Sequence, residues 1–571
     1  MRAVTLAFAV LILLGPSVGA IETRGLREKP TAITPEKKPD ELKTKDAKPT
    51  SIPDQRTRIA ELIHQLGDPS WQVREDATKR LIEIGMPARS ALMVASRSPD
   101  AEIAARARRV LEKIPWAVSP DDLPEVAKLL ANYQALDRED RKAVVAEIFS
   151  MGRFKAMQPL LRVVEFDDQE EVAVIAATLL RDFSFGSSGE VIRRHSFQSE
   201  RPSSLALQGW AWRLHRPKQA VTLLEKSLTL QGTAVAANAL SEMEKENILH
   251  IWGWILELGA ADRFLVTLPP FENLFKNDSR MLFLRAKGAE IQGNAPRVRA
   301  LVEEARAAPA LPGIDPAEAH IRSAAFLKAH KWHDWEMKEW SSILALPTAS
   351  PRSKIAAHVG LGWLAAQAAR FDEAADHYLA AGEMAEDANI DLGAADPKDL
   401  QAEGQWNRAR AIMARNELAR LEETLRDMLR LSPGHPDGAG ELARFLVAKG
   451  RKEDAEKLIE EARAELQKKF ENPDGDMDEP TLHNNLAWLY VVANLHASDA
   501  LEEATKAVVA APYEVAFLDT LAEAYFRSGQ KAKALERENY ALSLEPDNNY
   551  LRRQIRRFET GEKNEPALID R

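Results

Sequence analysis

The chain has 571 residues, no cysteine and a formal net charge of −10. The absence of cysteine excludes disulfides, thiolate metal sites and cysteine nucleophiles, and the acidic balance argues against nucleic acid as a general partner. With only 27 glycines and 6% aromatic residues, a chain rich in Ala, Leu, Glu, Arg and Lys favours helix nearly throughout.

Residues 1–20 have the three parts of a secretory signal peptide. Arg2 supplies a positive start, residues 3–14 form an apolar core, and Val18-Gly19-Ala20 offers a cleavage site. The core, at about 12 residues, is too short to span a bilayer, which needs about 20. We therefore expect export to the periplasm or exterior of a bacterial envelope, with no integral membrane segment after cleavage. An uncleaved anchor is the alternative.

Residues 21–55 are predicted to be a disordered linker. Five prolines stand there among many Lys, Glu, Asp and Thr residues, and few side chains could be buried. Such a segment would tether the folded part away from a membrane or wall. A spacer without any role is the alternative.

Residues 56–200 are predicted to form helical repeats. Two similar stretches, Gly67-Asp68-Pro69-Ser70-Trp71 and Ser98-Pro99-Asp100-Ala101, each precede a helical apolar stripe. They resemble HEAT-type repeats, in which an Asp-Pro turn starts the second helix and an arginine pairs with an aspartate of the adjacent turn. The resemblance implies two candidate pairs, Asp68 with Arg106 and Asp100 with Arg74.

Residues 201–278 are predicted to be divergent helical repeats marked by paired tryptophans. The pair Trp210 and Trp212 recurs further along the chain as Trp252 and Trp254. Residues two apart on a helix point to different faces. In each pair we expect one tryptophan in the core and the other at a repeat junction; a tryptophan lining a concave wall is the alternative.

The clearest repeat lies between residues 482 and 548. In both copies, large apolar residues and alanines follow each other in the same order, and each copy ends at a proline, Pro512 or Pro546. The two prolines are separated by about 34 residues, and this period and pattern resemble tetratricopeptide (TPR) repeats. Weaker copies extend back to residue 279, so 279–548 are predicted to be TPR repeats. A capping helix and tail at 549–571 would follow. The predicted fold class is all-α, an α-solenoid.

The resemblance also implies a groove. In TPR families the first helix of each repeat lines a concave surface that often takes an extended peptide. The residues matched to groove positions, a mixed apolar and charged set with two anchor-type tryptophans, are Trp363, Arg444, Trp488, Val491, Glu523, Phe526 and Arg527. The Lys and Asn residues with which chaperone-tail-binding members clamp a carboxylate are missing at these positions. Packing between repeats is the alternative for Trp363 and Trp488.

Three local clusters are weak candidates for chemistry. His320, His330 and His333 include a His-x-x-His spacing but no HExxH motif and no nearby cluster of Asp or Glu at ligand spacing. The acidic stretch 474–479 lacks the order of an EF-hand. Gly186-Ser187-Ser188-Gly189, predicted to be a loop, lacks the Gly-x-Ser-x-Gly spacing of a nucleophile elbow. We therefore expect no metal, no cofactor and no catalytic residue.

The sequence favours a non-enzymatic scaffold that binds a protein or peptide in the cell envelope. The alternative is a helical-repeat enzyme, or an enzyme's accessory subunit, acting on envelope glycan or peptide. Such an enzyme would present clustered acids or histidines from several inner helices, and the sequence shows none locally. A purely mechanical spacer is a third hypothesis. The partner and the oligomeric state stay open.

Overall fold

The computed structural model describes residues 52–562, apart from 115, 120, 184, 198, 237–239, 312, 389, 391–395 and 473–476. These residues form 28 α-helices, three short 3-10 helices and no β-strand. The signal peptide predicted at 1–20, most of the linker, Asp474, Asp476 and the tail lie outside the described residues. The first helix begins at Ile52, inside the predicted linker. In the described part of the chain, no helix is long and apolar enough to cross a membrane.

The helices of the first half precede residue 279. They are α1 (Ile52–Gln65), α2 (Trp71–Ile84), α3 (Met86–Ala95), α4 (Ala101–Lys113), α5 (Pro124–Leu130), α6 (Arg138–Ser150), α7 (Arg153–Phe166), α8 (Glu170–Asp182), α9 (Phe185–Arg194), α10 (Pro202–Trp212), α11 (Pro217–Ala236), α12 (Glu242–Glu257) and α13 (Ala261–Thr267).

The helices of the second half alternate as first and second members of hairpins. They are α14 (Ser279–Ile291), α15 (Ala295–Ala307), α16 (Pro316–Ala329), α17 (His333–Ala345), α18 (Pro351–Gln367), α19 (Phe371–Asp387), α20 (Pro397–Ala414), α21 (Leu421–Leu431), α22 (Pro436–Ala448), α23 (Lys452–Glu471), α24 (Glu479–Ala493), α25 (Ala497–Ala510), α26 (Val515–Arg527), α27 (Lys531–Leu544) and α28 (Asn549–Thr560). The described chain is thus an all-α solenoid, as the sequence predicts.

Capping side chains start the first helices of the hairpins. Asp315, Asp396, Asp478 and Asn548 accept hydrogen bonds from backbone N–H groups of the following turn. Proline stands at the first or second position of α16, α20 and α24, where the helix needs no backbone donor. A cap followed by proline therefore fixes where each of these helices begins.

One turn geometry is repeated in the eight described hairpins from α12 to α27. Each turn has a residue in the left-handed backbone region, with φ between 54° and 77°. They are Gly259, Gly293, Lys331, Ala369, Asn416, Gly450, Asn494 and Gly529. Glycine and asparagine adopt this conformation at little cost. The turn at Gly259 shows that the hairpin geometry begins before residue 279, where the sequence places the first TPR repeat.

The apolar core follows the solenoid as a series of clusters. One cluster lies in α1–α4, and a large one runs from Trp116 to Trp332. Others cover residues 317–400 and 402–524. Trp210, Trp252 and Trp254 are buried in the large cluster, while Trp212 is half-buried beneath the Arg216 guanidinium. The tryptophan pairs therefore serve the core and its edge, and Trp254 is buried as well as Trp252.

The solenoid closes on itself. Helix α9 and the turns after α10 and α16 lie against the last hairpin, α26–α27, although they are far from it in sequence. The polar contacts are Gly186 N–H to Glu545 Oε1 at 3.2 Å, Ser187 Oγ to Glu514 Oε2 at 3.1 Å, His215 Nε2 to the Ser543 carbonyl at 2.9 Å, and Lys331 Nζ to Asp547 Oδ2 at 2.7 Å. We call this contact the closing joint.

The structure corrects two local predictions in the first half. Gly186 to Gly189 belong to α9 and are not a loop, because they pack against the last hairpin. In the HEAT-like segment Arg106 pairs with Glu75 and Glu102, at 2.7 and 2.6 Å, instead of Asp68. Asp100 caps α4, and Arg74 pairs with Glu102 at 3.1 Å. Glutamates on the helices thus replace the expected turn aspartates.

Candidate partner-binding surface

First helices of several neighbouring C-terminal hairpins pack side by side. Helix α22 packs on α24 and α24 on α26, and α16 likewise contacts α18. We call the set of first helices α16, α18, α20, α22, α24 and α26 the inner wall. Residues one repeat period apart occupy matching positions on these helices.

Trp363 on α18 is partly exposed. The Lys328 ammonium of α16 lies 4.7 Å from the centre of its ring, and His333 meets its edge at 5.4 Å. Burial lowers the pKa of Lys328, with Glu336 opposing the shift. A cation over an indole face, both still reachable by water, is the kind of feature that anchors a partner.

Two arginines occupy matching positions on α20 and α22. Arg444 on α22 donates to Glu441 at 2.5 Å and keeps 40% of its side chain exposed. Arg410 on α20 is buried, lies 4.1 Å from the centre of the Phe371 ring and donates to Asn407 at 3.2 Å. Arg410 is not among the predicted groove residues, although one repeat period, about 34 residues, separates it from Arg444. The repeat period was therefore the signal that could have found it.

A buried carboxylate accompanies Arg410. Glu403 lies on the same helix and is 7% exposed, and its Oε1 accepts from Asn407 Nδ2 at 3.1 Å. Burial raises the pKa of Glu403, while the Arg410 guanidinium opposes the shift. Arg410 and Glu403 are thus opposite charges held inside the packing of α20.

Trp488 and Val491 of α24 are buried, at 4% and 2% exposure. The Trp488 Nε1–H donates to Asp437 Oδ1 of α22 at 2.7 Å, so the indole joins neighbouring first helices. This contact matches the packing alternative for Trp488. A binding role for either residue stays a prediction.

The last three groove candidates lie against the final helix, α28. Glu523 is 1% exposed and accepts hydrogen bonds from both Arg527, at 2.6 Å, and Arg557. The Phe526 ring lies 4.7 Å from that of Phe558. Helix α28 therefore lies against buried Glu523, whereas Phe526 and Arg527 stay partly exposed. A binding role for these three residues, and for the partly exposed Trp363 and Arg444, stays a prediction.

The three histidines considered as metal ligands each bond a glutamate of the fold. His320 bonds Glu339 at 2.8 Å and His333 bonds Glu336 at 2.8 Å, whereas His330 bonds Glu257 at 2.5 Å. The described residues contain no group of three His, Asp or Glu side chains that could hold a metal ion. Ser187 is buried in the closing joint.

Part of this chain matches a known protein family. Residues 400–472, which span most of α20 through α23, match the tetratricopeptide repeat family. A search of the curated proteins found no match. This segment therefore carries TPR repeats of the kind that the sequence analysis predicts, and repeats of this kind favour protein partners.

Several solved structures are similar in part. "Crystal structure of APC/C hetero-tetramer Cut9-Hcn1" is 12% identical over 89% of this chain and 96% of that one, with a TM-score of 0.28. "Structure of Naa15/Naa10 bound to HypK-THB" is 14% identical over 76% of this chain and 65% of that one, with a TM-score of 0.19. "Human IFIT1 dimer with PPP-AAAA" is 13% identical over 82% and 100%, with a TM-score of 0.19. The chain thus spans less than two thirds of the Naa15/Naa10 structure's chain, and these similarities carry no functional inference.

Proposed function

We propose that this protein is a non-enzymatic scaffold that holds a partner protein or peptide along its inner wall, and that it does so in the cell envelope after export. The observation that carries the proposal is the partial exposure of Trp363 and Arg444 on first helices of the repeats. Aromatic and arginine side chains dominate binding energies at protein interfaces. The two residues supply both types, with Lys328 beside Trp363.

The binding surface is tested by site-specific photo-cross-linking in the native envelope. A photoreactive residue replaces Arg444 on the inner wall or, as the control, Val509, which is 77% exposed on α25. We expect one defined product from position 444 that the change Trp363→Ala weakens, and no such product from 509. Equal products at both positions, or a product at 444 that Trp363→Ala leaves unchanged, would contradict the proposed surface.

Export is tested separately by mass spectrometry of the protein recovered from envelope and cytoplasmic fractions. We expect the recovered chain to begin at Ile21, since the cleavage site follows Ala20. The change Leu11→Arg, which interrupts the apolar core, should leave an unprocessed chain in the cytoplasm. An unprocessed wild-type chain in the membrane fraction would support the anchor instead.

A further inference from the structure

The closing joint differs in chemistry from the contacts between neighbouring hairpins. The large apolar cluster that ends at Trp332 and the cluster around Val515, Leu518 and Leu544 are separate. Hydrogen bonds and an ion pair connect the two sides instead. Polar contacts within a chain resemble transient protein interfaces, across which parts of a molecule move.

Opposite charges face each other across this joint. The C-terminal side presents Glu514, Glu545 and Asp547, and the other side presents Lys331 and Arg194, whose guanidinium lies 5.0 Å from the centre of the Tyr513 ring. The Lys331 and Asp547 side chains are 66% and 42% exposed. Salt can therefore reach and screen this ion pair.

The position of Lys331 is nevertheless built into the fold. It has a left-handed backbone with φ of 58°, an uncommon conformation for lysine. The preceding residue, His330, is fixed inside the first half: its side chain is 0% exposed and its Nδ1 bonds Glu257. Its Nε2 lies 3.0 Å from His250 Nδ1. The rigid turn thus directs the Lys331 ammonium at Asp547.

Close packing adds a steric component. Gly186 lies so near the last hairpin that a Cβ atom there would stand 2.3 Å from Val515 Cγ2. Any larger residue at 186 must push α26 away. Contact between the two sides therefore depends on a bare backbone at this position as well as on the polar bonds.

We propose that the closing joint is a gate: its release opens the superhelix and admits a bulky partner to the inner wall. This gate goes beyond the proposed scaffold function, and its test uses no partner. The chain offers a clean assay because it has no cysteine of its own, so a single introduced thiol reports the accessibility of one position.

The test compares the labelling rates of two single-cysteine proteins. Arg444→Cys places the thiol on the inner wall, and Val509→Cys places it on an exposed second helix. Each protein reacts with a small maleimide and with a maleimide that carries a long poly(ethylene glycol) chain. In the unaltered background we expect the bulky reagent to be selectively slow at position 444.

Two changes should open the gate by different means. Lys331→Glu places like charges against Asp547, and Gly186→Leu collides with Val515. Each change should raise the rate at which the bulky reagent labels position 444 several-fold. The rate of the small reagent at 444 and both rates at 509 should stay the same. Adding Asp547→Lys to Lys331→Glu should restore the slow rate. Lys155→Glu, at the exposed Lys155–Glu125 pair, is the matched control and should have no effect.

Every outcome bears on the gate. If the bulky and small reagents react equally well at 444 in the unaltered protein, no gate exists. If the variants leave the selective slowing intact, the joint is not the gate. A variant that unfolds would also be labelled faster at position 509. In that case, salt added to the unaltered protein is used instead of the variant to weaken the joint. Salt must then speed labelling of position 444 by the bulky reagent, and failure to do so overturns the proposal.

Discussion

At the scale of single residues, the buried Asp167 shows how one carboxylate can stabilise several neighbouring groups. It is 0% exposed and accepts from the Tyr133 hydroxyl at 2.7 Å and from Arg141 at 2.8 Å. Burial raises its pKa, against hydrogen bonds from the backbone N–H of Gln169 and from Tyr133, which lower it. Its removal would leave the Tyr133 hydroxyl without this acceptor and the buried Arg141 guanidinium without its buried carboxylate.

We therefore expect Asp167→Ala to destabilise this part of the solenoid by about 3–5 kcal/mol. The neighbouring change Asp168→Ala is the matched control, because Asp168 also contacts Arg141 but its side chain is 73% exposed. It should cost about 1 kcal/mol or less. Urea denaturation followed by circular dichroism measures both, and equal losses would contradict the argument from burial.

Gly253 is a second residue whose role depends on space. A Cβ atom there would stand 2.2 Å from Cε1 of His330, which is held by Glu257 and has no room to move. Gly253→Ala should therefore destabilise the protein by about 1–3 kcal/mol through overpacking. In contrast, Gly288→Ala on α14 meets its nearest atom at 3.8 Å and should stabilise by up to about 1 kcal/mol through helix propensity. Thermal unfolding of the two variants measures this difference in sign.

At the scale of elements, periodic features were predictable from the sequence and individual contacts were not. Apolar spacing predicted helices nearly everywhere, and the repeat period predicted the hairpins. Two of the eight repeated left-handed turns, at Lys331 and Ala369, have neither glycine nor asparagine, so their sequence gave no turn signal. The partner of Arg106 and the helix at Gly186 depend on contacts with residues 31 and 359 positions away, which no local pattern encodes.

The final helix stabilises the last hairpin. Phe558 is 0% exposed and packs against Phe526, and Arg557 bonds the buried Glu523. Phe558→Ala should cost about 3–5 kcal/mol, and hydrogen exchange should quicken mainly in α26, α27 and α28, because repeats stabilise their neighbours. Arg556→Ala, an exposed change on the same helix, is the control. Faster exchange throughout α14–α25 would contradict this local effect.

The hairpin α18–α19 contains a histidine pair that makes stability depend on pH. His358 Nδ1 lies 2.9 Å from His377 Nδ1, and burial together with His377 lowers the pKa of His358 to about 4. The unfolded chain binds this proton near pH 6.5, so stability should be present above that value and fall as the pH drops from about 6.5 towards 4. His358→Gln should flatten the dependence, measured as the urea midpoint at several pH values. The exposed His64→Gln should not.

At the scale of the whole molecule, the solenoid combines two kinds of contact. Neighbouring hairpins share apolar clusters, so their order along the chain determines most of the fold. The closing joint is different, since it brings residues near 186 against residues near 545. The sequence could predict the first kind because it repeats. It could not predict the second, which occurs once and depends on the accumulated curvature of all the hairpins between.

A truncation tests whether closure exists in solution. Ending the chain after Pro512 removes α26–α28, and if hairpins contacted only their neighbours, helices of the first half would not respond. If the closing joint forms, removal of the last hairpin should change α9. Ser187 and Ser188 of α9 are 4% and 0% exposed, and Ser187 donates to Glu514 of the last hairpin. We expect amide exchange to quicken in α9, while α4, which has its own apolar cluster, keeps its protection. Unchanged exchange in α9 would show that the superhelix is open.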